Sequence, residues 1–184
     1  MTDATTKPQI AVRQELVGAI PNLRAFAVAL CGDVNLANDL VQETLLKAWT
    51  NHERFEVGTN LRAWLFTILR NTYFSIHRKA RREVRDEEGQ IAGRLVTQPD
   101  QLIHLEMVDF RKALELLPPE QREALVLVGA EGFSYEEAAE ITGCAVGTIK
   151  SRVNRARCRM IELLDMSSTR DIGGSHHIEN VRRA

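Results

Sequence analysis

Ser134–Leu164 reads SYEEAAEITGCAVGTIKSRVNRARCRMIELL, and its spacing predicts two helices joined by a tight turn. Ser134 and Glu137 have the spacing of a capping box, in which hydroxyl and carboxylate each satisfy a backbone N–H of the first turn. Ala138, Ala139 and Ile141 are apolar and mostly small, so the short helix can lie close against a neighbour. Gly143 stands where that helix must stop, because glycine enters the left-handed conformation cheaply. The second helix is expected from about Val146 to Leu164. At about 100° per residue, Ile149, Val153, Ala156 and Met160 fall on one side. Ser151, Asn154 and Arg155 fall opposite, with Gly147 and Thr148 near the start. Lys150 and Arg157 flank that outer face on one edge, Arg152 and Arg159 on the other. Between Cys144 and Ile161 there are five Lys or Arg and no Asp or Glu, so the face is uniformly basic. A basic rim around short polar donors suits a DNA major groove, the rim meeting phosphates and the centre meeting base edges. A solvated basic helix is the plainer reading, but the capped short helix, glycine turn and apolar seam together favour a helix-turn-helix.

The bulk numbers narrow the rest. The chain has 184 residues, enough for one domain or two small ones, and only 5% are aromatic, which suits small helical cores. Net charge is −1, so any nucleic-acid surface must be local. Cys31, Cys144 and Cys158 are far apart and form no CxxC pair, which argues against a zinc site or a disulfide framework. His176-His177 in the tail lacks further partners for a metal. No cofactor and no metal site is expected. Met1–Gln9 is polar and leads into no cleavable apolar core, and no apolar run reaches spanning length, so a cytoplasmic protein without membrane contact is expected. Phosphate loops, nucleophile elbows and HExxH are missing from the sequence, and no enzyme activity is expected.

Upstream, helical periodicity dominates. Residues 1–9 read as a disordered lead. A helix follows from about Ile10, with Leu16, Ile20, Leu23, Phe26 and Leu30 as its apolar stripe; Pro21 either kinks it or starts a second segment. From about Leu36 to His52, the residues Ala37, Leu40, Val41, Leu45, Ala48 and Trp49 form a wide apolar face, and Asp39, Gln42, Glu43 and Lys47 stay outside. Residues 55–60 (FEVGTN) break the pattern and read as a loop. Leu61 to about Arg82 is strongly periodic, with Leu61, Trp64, Leu65, Ile68, Thr72 and Ile76 on its inner side and cations at its end. Those cations accompany Trp64, Phe66, Tyr73 and Phe74; a core role suits Trp64 better than Tyr73 or Phe74, which with the cations suit a single strand. Glu83–Gln101 is acidic, rich in Gly and Pro signals, and aperiodic. The expected fold is therefore all-α: a helical domain over 10–82, a flexible linker over 83–101, a helix-turn-helix domain over 102–166, and a mobile tail over 167–184.

Four strings, in this order, give that outline a family. DLVQETLLKAW (Asp39–Trp49), LRAWLFTILRNTYFSIHR (Leu61–Arg78), LPPEQREALVL (Leu117–Leu127) and VGTIKSRVNRAR (Val146–Arg157) together resemble extracytoplasmic-function sigma factors, the smallest group of bacterial σ70-type initiation factors, and within them the general stress-response subgroup. The resemblance implies two domains like sigma regions 2 and 4. It also implies that Asp39, Gln42 and Glu43 dock on the β′ clamp coiled coil of core RNA polymerase. Gly58, Thr59, Asn60, Asn71 and Arg78 would meet the −10 element as single-stranded DNA. Thr148, Lys150, Ser151, Arg152, Asn154, Arg155 and Arg157 would meet the −35 duplex, and Leu102–Phe133 the β flap. An anti-sigma factor, released by a phosphorylated sigma-mimicking response regulator, is implied as well. The chain departs from the pattern at Cys144 and Ala145, where Ser or Pro is frequent. A stand-alone repressor and a protein-binding sigma mimic remain the alternatives. The repressor has no need of the first domain's two faces, and the mimic no need of the basic face at Lys150–Arg157.

Overall fold

The computed structural model describes residues 6–56, 58–86 and 103–172, all helix or short connection. Helices α1 (Thr6–Cys31), α2 (Val34–Thr50) and α3 (Leu61–Asp86) form the first bundle, with a 3-10 turn at His52–Arg54 between α2 and α3. Helices α4 (Ile103–Glu115), α5 (Pro119–Gly129), α6 (Tyr135–Thr142) and α7 (Val146–Ile172) form the second. The lead over 1–5, most of the linker and the tail from 173, including His176-His177, lie outside the described residues.

The helix ends follow from local chemistry. Gly32, at φ +72°, ends α1, and Asp33 then caps α2 by accepting from the Leu36 N–H at 2.9 Å. Asn60 caps α3, its Oδ1 accepting from the Ala63 N–H at 3.0 Å. Pro119 opens α5, where a missing N–H costs nothing. Some boundaries differ from the periodicity. Helix α1 runs unbroken through Pro21, which sits on the exposed side, and it begins at Thr6 within the expected lead. Helix α7 continues to Ile172, past the expected end near Leu164, because no Gly or Pro intervenes before Gly173. Helix α3 likewise runs on to Asp86, its run of charged residues being good helix formers.

The first core is built by Leu23, Phe26 and Leu30 of α1, Ala37, Leu40 and Ala48 of α2, and Leu65, Phe66 and Leu69 of α3, all essentially without exposed surface. The second uses Leu117, Ala124 and Leu127 with Ala138, Ile141, Ile149, Val153 and Ala156. The two bundles pack on one another. Helix α1 packs on α4 and α5, α3 packs on α6, and the buried residues of both bundles form one cluster. Phe66 sits at the join: its ring is 4.9 Å from Phe26 in its own bundle and 5.0 Å, edge-on, from Phe133 in the other. Arg122 of α5 donates to the Leu30 carbonyl at 2.8 Å and to the Glu115 carbonyl at 2.8 Å, so one guanidinium serves the carboxyl ends of α1 and α4.

Phe66→Ala should leave a cavity shared by both bundles. The expected loss is about 3–5 kcal/mol, read as a lower urea midpoint in equilibrium unfolding of the full chain.

Candidate nucleic-acid and polymerase interface

The helix-turn-helix forms as its sequence indicates. Both halves of the capping box are made: the Glu137 N–H donates to Ser134 Oγ at 3.1 Å and the Ser134 N–H to Glu137 Oε2 at 2.9 Å. Gly143, at φ +67°, closes α6. On α7, Ile149, Val153, Ala156 and Met160 are buried as a continuous seam, so the opposite side must face outward. Asn154, Arg155 and Arg157 are exposed on that side, as is Lys150, whose Nζ also lies 5.7 Å from the Tyr135 ring centroid. Thr148, Ser151 and Arg152 are only half-exposed. Ser151 spends its hydroxyl proton on the Thr148 carbonyl at 2.9 Å. Arg152 turns back over the glycine turn, with Nη1 3.8 Å from Cys144 Sγ, rather than standing at the outer rim. A wheel diagram assigns it to the edge, but its angle is close enough to the seam for the long side chain to fold inward.

The second exposed face lies on α2. Asp39, Gln42 and Glu43 are outside, as their periodicity requires. Leu46 and Trp49 share this face and are 61% and 60% exposed, so Trp49 does not join the core. Glu43 pairs with Lys47 at 3.2 Å, and Lys47 also donates to Thr72 Oγ1 at 3.1 Å, which fixes the edge of the face against α3. Large apolar side chains in a helical stripe beside acids and an amide mark an interaction surface.

The third group surrounds the start of α3. Gly58 (φ +100°), Thr59 and Asn60 are exposed. Thr59 is tied by its hydroxyl to the Glu56 carbonyl at 2.7 Å. Asn60 donates from Nδ2 to Glu137 Oε1 at 2.9 Å, a bond to the other bundle. Further along α3, Asn71 is exposed and accepts from Arg70 at 3.2 Å, and Arg78 is exposed with Nε donating to the Phe74 carbonyl at 3.3 Å. The aromatics on α3 differ from expectation. Tyr73 is buried and donates to the Leu30 carbonyl at 2.9 Å, while Phe74 is half-buried with the Arg70 guanidinium carbon 4.8 Å from its ring centroid. Trp64 is half-buried against Phe55 at 5.3 Å, and Phe66 is fully buried. Tyr73 and Phe66 are therefore closed to base stacking. Ile76, expected inside, is 46% exposed. Among the described residues no group of three His, Cys, Asp or Glu side chains is placed to hold a metal ion, and no helix is long and apolar enough to cross a membrane.

The chain as a whole is matched by known families. Residues 17–83 match the family model for sigma-70 region 2, and residues 107–160 that for sigma-70 region 4. The chain is 57% identical over 162 residues to the ECF RNA polymerase sigma factor EcfG of Rhodopseudomonas palustris, covering 88% of this chain and 90% of that protein. This chain is an ECF sigma factor of the sigma-70 family. It serves transcription initiation as a non-enzymatic factor. Among solved structures it is similar to the sigma factor RpoE of Bartonella quintana, crystallised in complex with the anti-sigma factor NepR (TM-score 0.78, 54% identity, 83% of this chain and 96% of that one). It is also similar to CnrH in complex with the cytosolic domain of CnrY (TM-score 0.62, 26% identity, 86% and 90%).

Glu137 links this sigma factor's capping box to Asn60. Hydrogen bonds from the Ser134 backbone and from its side chain, with a weaker contribution from Asn60, hold the Glu137 carboxyl below the usual carboxylate range. A depressed carboxyl stabilises the fold above its ordinary range, and that stabilisation is lost as pH falls through the depressed value. Ser134→Ala should cost about 1 kcal/mol at neutral pH. Glu137→Gln should remove part of the wild type's loss of thermal stability below about pH 5, measured by melting across a pH series.

Proposed function

We propose that α2 docks this sigma factor on the β′ clamp coiled coil of core RNA polymerase, through Asp39, Gln42 and Glu43 with Leu46 and Trp49. The exposed apolar pair beside three polar side chains carries this reading, since a solvated helix has no need of two large side chains in water. The Gly58–Asn60 loop and α3, through Asn71 and Arg78, meet the −10 element once its strands separate. Helix α7 enters the major groove at the −35 element with Asn154 and Arg155 at the centre and Lys150 and Arg157 toward phosphates. Thr148, Ser151 and Arg152 support that face from its half-buried edge. The α4–α5 region meets the β flap. The complexes of the Bartonella quintana factor with NepR and of CnrH with CnrY support an anti-sigma partner. The likeness to EcfG supports a role in the general stress response, in the cytoplasm where polymerase and promoters are.

Two measurements test the assignments. Gln42→Ala with Glu43→Ala should weaken core binding tenfold or more, since an interface hot spot contributes about 2 kcal/mol or more, while helicity by circular dichroism stays unchanged. In a −35 base-substitution series with intact polymerase, Arg155→Ala should relax preference at one or two positions by about 1–3 kcal/mol each. Arg157→Ala should weaken binding to all sequences and reduce the salt slope by about one. Exchange of those two phenotypes would show that the helix is rotated relative to the groove.

A further inference from the structure

The reading helix begins without a side-chain cap of the kind that starts α6. Ser134 and Glu137 close the first turn of α6, but Ala145, the residue before α7, carries no side-chain acceptor. Its carbonyl takes the Thr148 N–H at 2.8 Å and the Ile149 N–H at 3.2 Å, and only Gly143, Cys144 and Ala145 separate the two helices. The buried seam of Ile149, Val153, Ala156 and Met160 decides which side of α7 faces inward. Apolar contacts are non-directional, however, and leave the swing of a helix about its turn less defined. Hydrogen bonds to base edges weaken steeply off their angle, so the direction of α7 decides what Asn154 and Arg155 can reach.

Thr142, Cys144 and Arg152 supply a directional brace. Thr142, buried at the end of α6, donates its hydroxyl to the Ala138 carbonyl at 2.7 Å, with the Ala139 carbonyl at 3.3 Å. Its one proton is thereby used, so in the 3.2 Å contact between Thr142 Oγ1 and Cys144 Sγ the thiol is the donor. The sulfur in turn accepts from Arg152 Nη1 at 3.8 Å. The bonds therefore run one way, from Arg152 in the second turn of α7, through Cys144 in the connection, to Thr142 and the backbone of α6. Helical side chains lean toward the amino terminus, so an arginine at this position is set to reach back over the first turn. Sulfur is large enough to meet partners at these distances, whereas a serine oxygen would have to lie closer to both.

The charge of Arg152 is also felt on the core side of α7. Burial raises the Glu123 carboxyl of α5, and Arg152 is one of the cations that oppose it, after Arg70. Glu123 has no exposed surface, and Arg152 is only half-exposed, whereas Arg155 and Arg157 are exposed with the outer face. We infer that Arg152 is a positioning residue for −35 recognition: with Cys144 and Thr142 it fixes the angle of α7 against α6, and it does not itself contact DNA. The inference rests on the proposed entry of α7 into the −35 major groove. A brace made within the chain sets the angle before DNA arrives, so base edges are met without the cost of ordering the helix. It also gives a task to Cys144, which is a free thiol.

The test is binding of intact polymerase, carrying the full chain, to a −35 base-substitution series across a range of salt. Circular dichroism melts confirm that each variant is folded at the assay temperature. Arg152→Ala should cut the preference for the best −35 sequence roughly three- to tenfold, at all positions together, with the salt slope unchanged. A phosphate contact would instead keep the preferences and lose about one from the slope, and a base contact would lose preference at one or two positions only. Cys144→Ala should reproduce the Arg152→Ala loss, and the two together should be no worse than either alone. Thr142→Val keeps every cation in place and should also lower the preference. A lower salt slope in Arg152→Ala, a loss confined to one or two positions, full discrimination by Cys144→Ala or Thr142→Val, or additive losses in the double variant overturns the positioning role. With any of these, a wild type that discriminates leaves the promoter reading of α7 standing. A wild type indifferent to the whole series overturns that reading, and the positioning role with it.

Discussion

A carboxylate with no exposed surface is the constraint around which the two halves of this sigma factor are arranged. Removing a charge from water is costly unless it is neutralised or met by a partner, and here both occur. The Glu123 carboxyl is driven toward protonation by burial, and α3 brings the Arg70 guanidinium to 2.6 Å. Arg152 adds a weaker attraction from α7, its guanidinium lying over the glycine turn beside Cys144. Arg122, the residue before, uses main-chain carbonyls instead and gathers the ends of α1 and α4. The LPPEQREALVL segment thus contributes two adjacent residues of opposite charge to the junction.

What was legible in the sequence was local. The seam of α7, the capping box at Ser134–Glu137 and the left-handed Gly143 depend on residues within two turns of one another, and each forms as spaced. The outer position of Asp39, Gln42 and Glu43 is equally a matter of helical phase. Where periodicity fails, a neighbour from elsewhere decides. Tyr73 has the spacing of a surface aromatic on a basic helix, but the Leu30 carbonyl at the end of α1 takes its hydroxyl and the ring goes in with it. Trp49 continues the apolar stripe of α2, yet it is 60% exposed. The burial of Glu123 had no local signal at all, because it depends on residues 53 positions away.

The same split explains why the all-α fold was legible in the sequence while the packing of one bundle on the other was not. Each bundle has its own apolar stripes, which is all that periodicity can report. Around the Phe66–Phe133 contact the junction is made of long side chains that look solvated on any wheel: Arg62, Arg70, Arg122, Glu123 and Glu131. Charged residues become an interface only when two helices present complementary geometry, and that geometry is a property of the assembled chain.

Asn60 and Glu137 show how the junction is tied to the helix ends on either side of it. Asn60 caps α3 with Oδ1 and reaches the other bundle with Nδ2. Glu137 closes the α6 capping box with Oε2 and receives Asn60 on Oε1. The two duties fall on different atoms of each side chain. The bond between the bundles therefore competes with neither cap. The local hydrogen bonds that form the helix-turn-helix and start α3 thus also tie the two bundles together along this edge, because each spare atom of a capping side chain is aimed at the other.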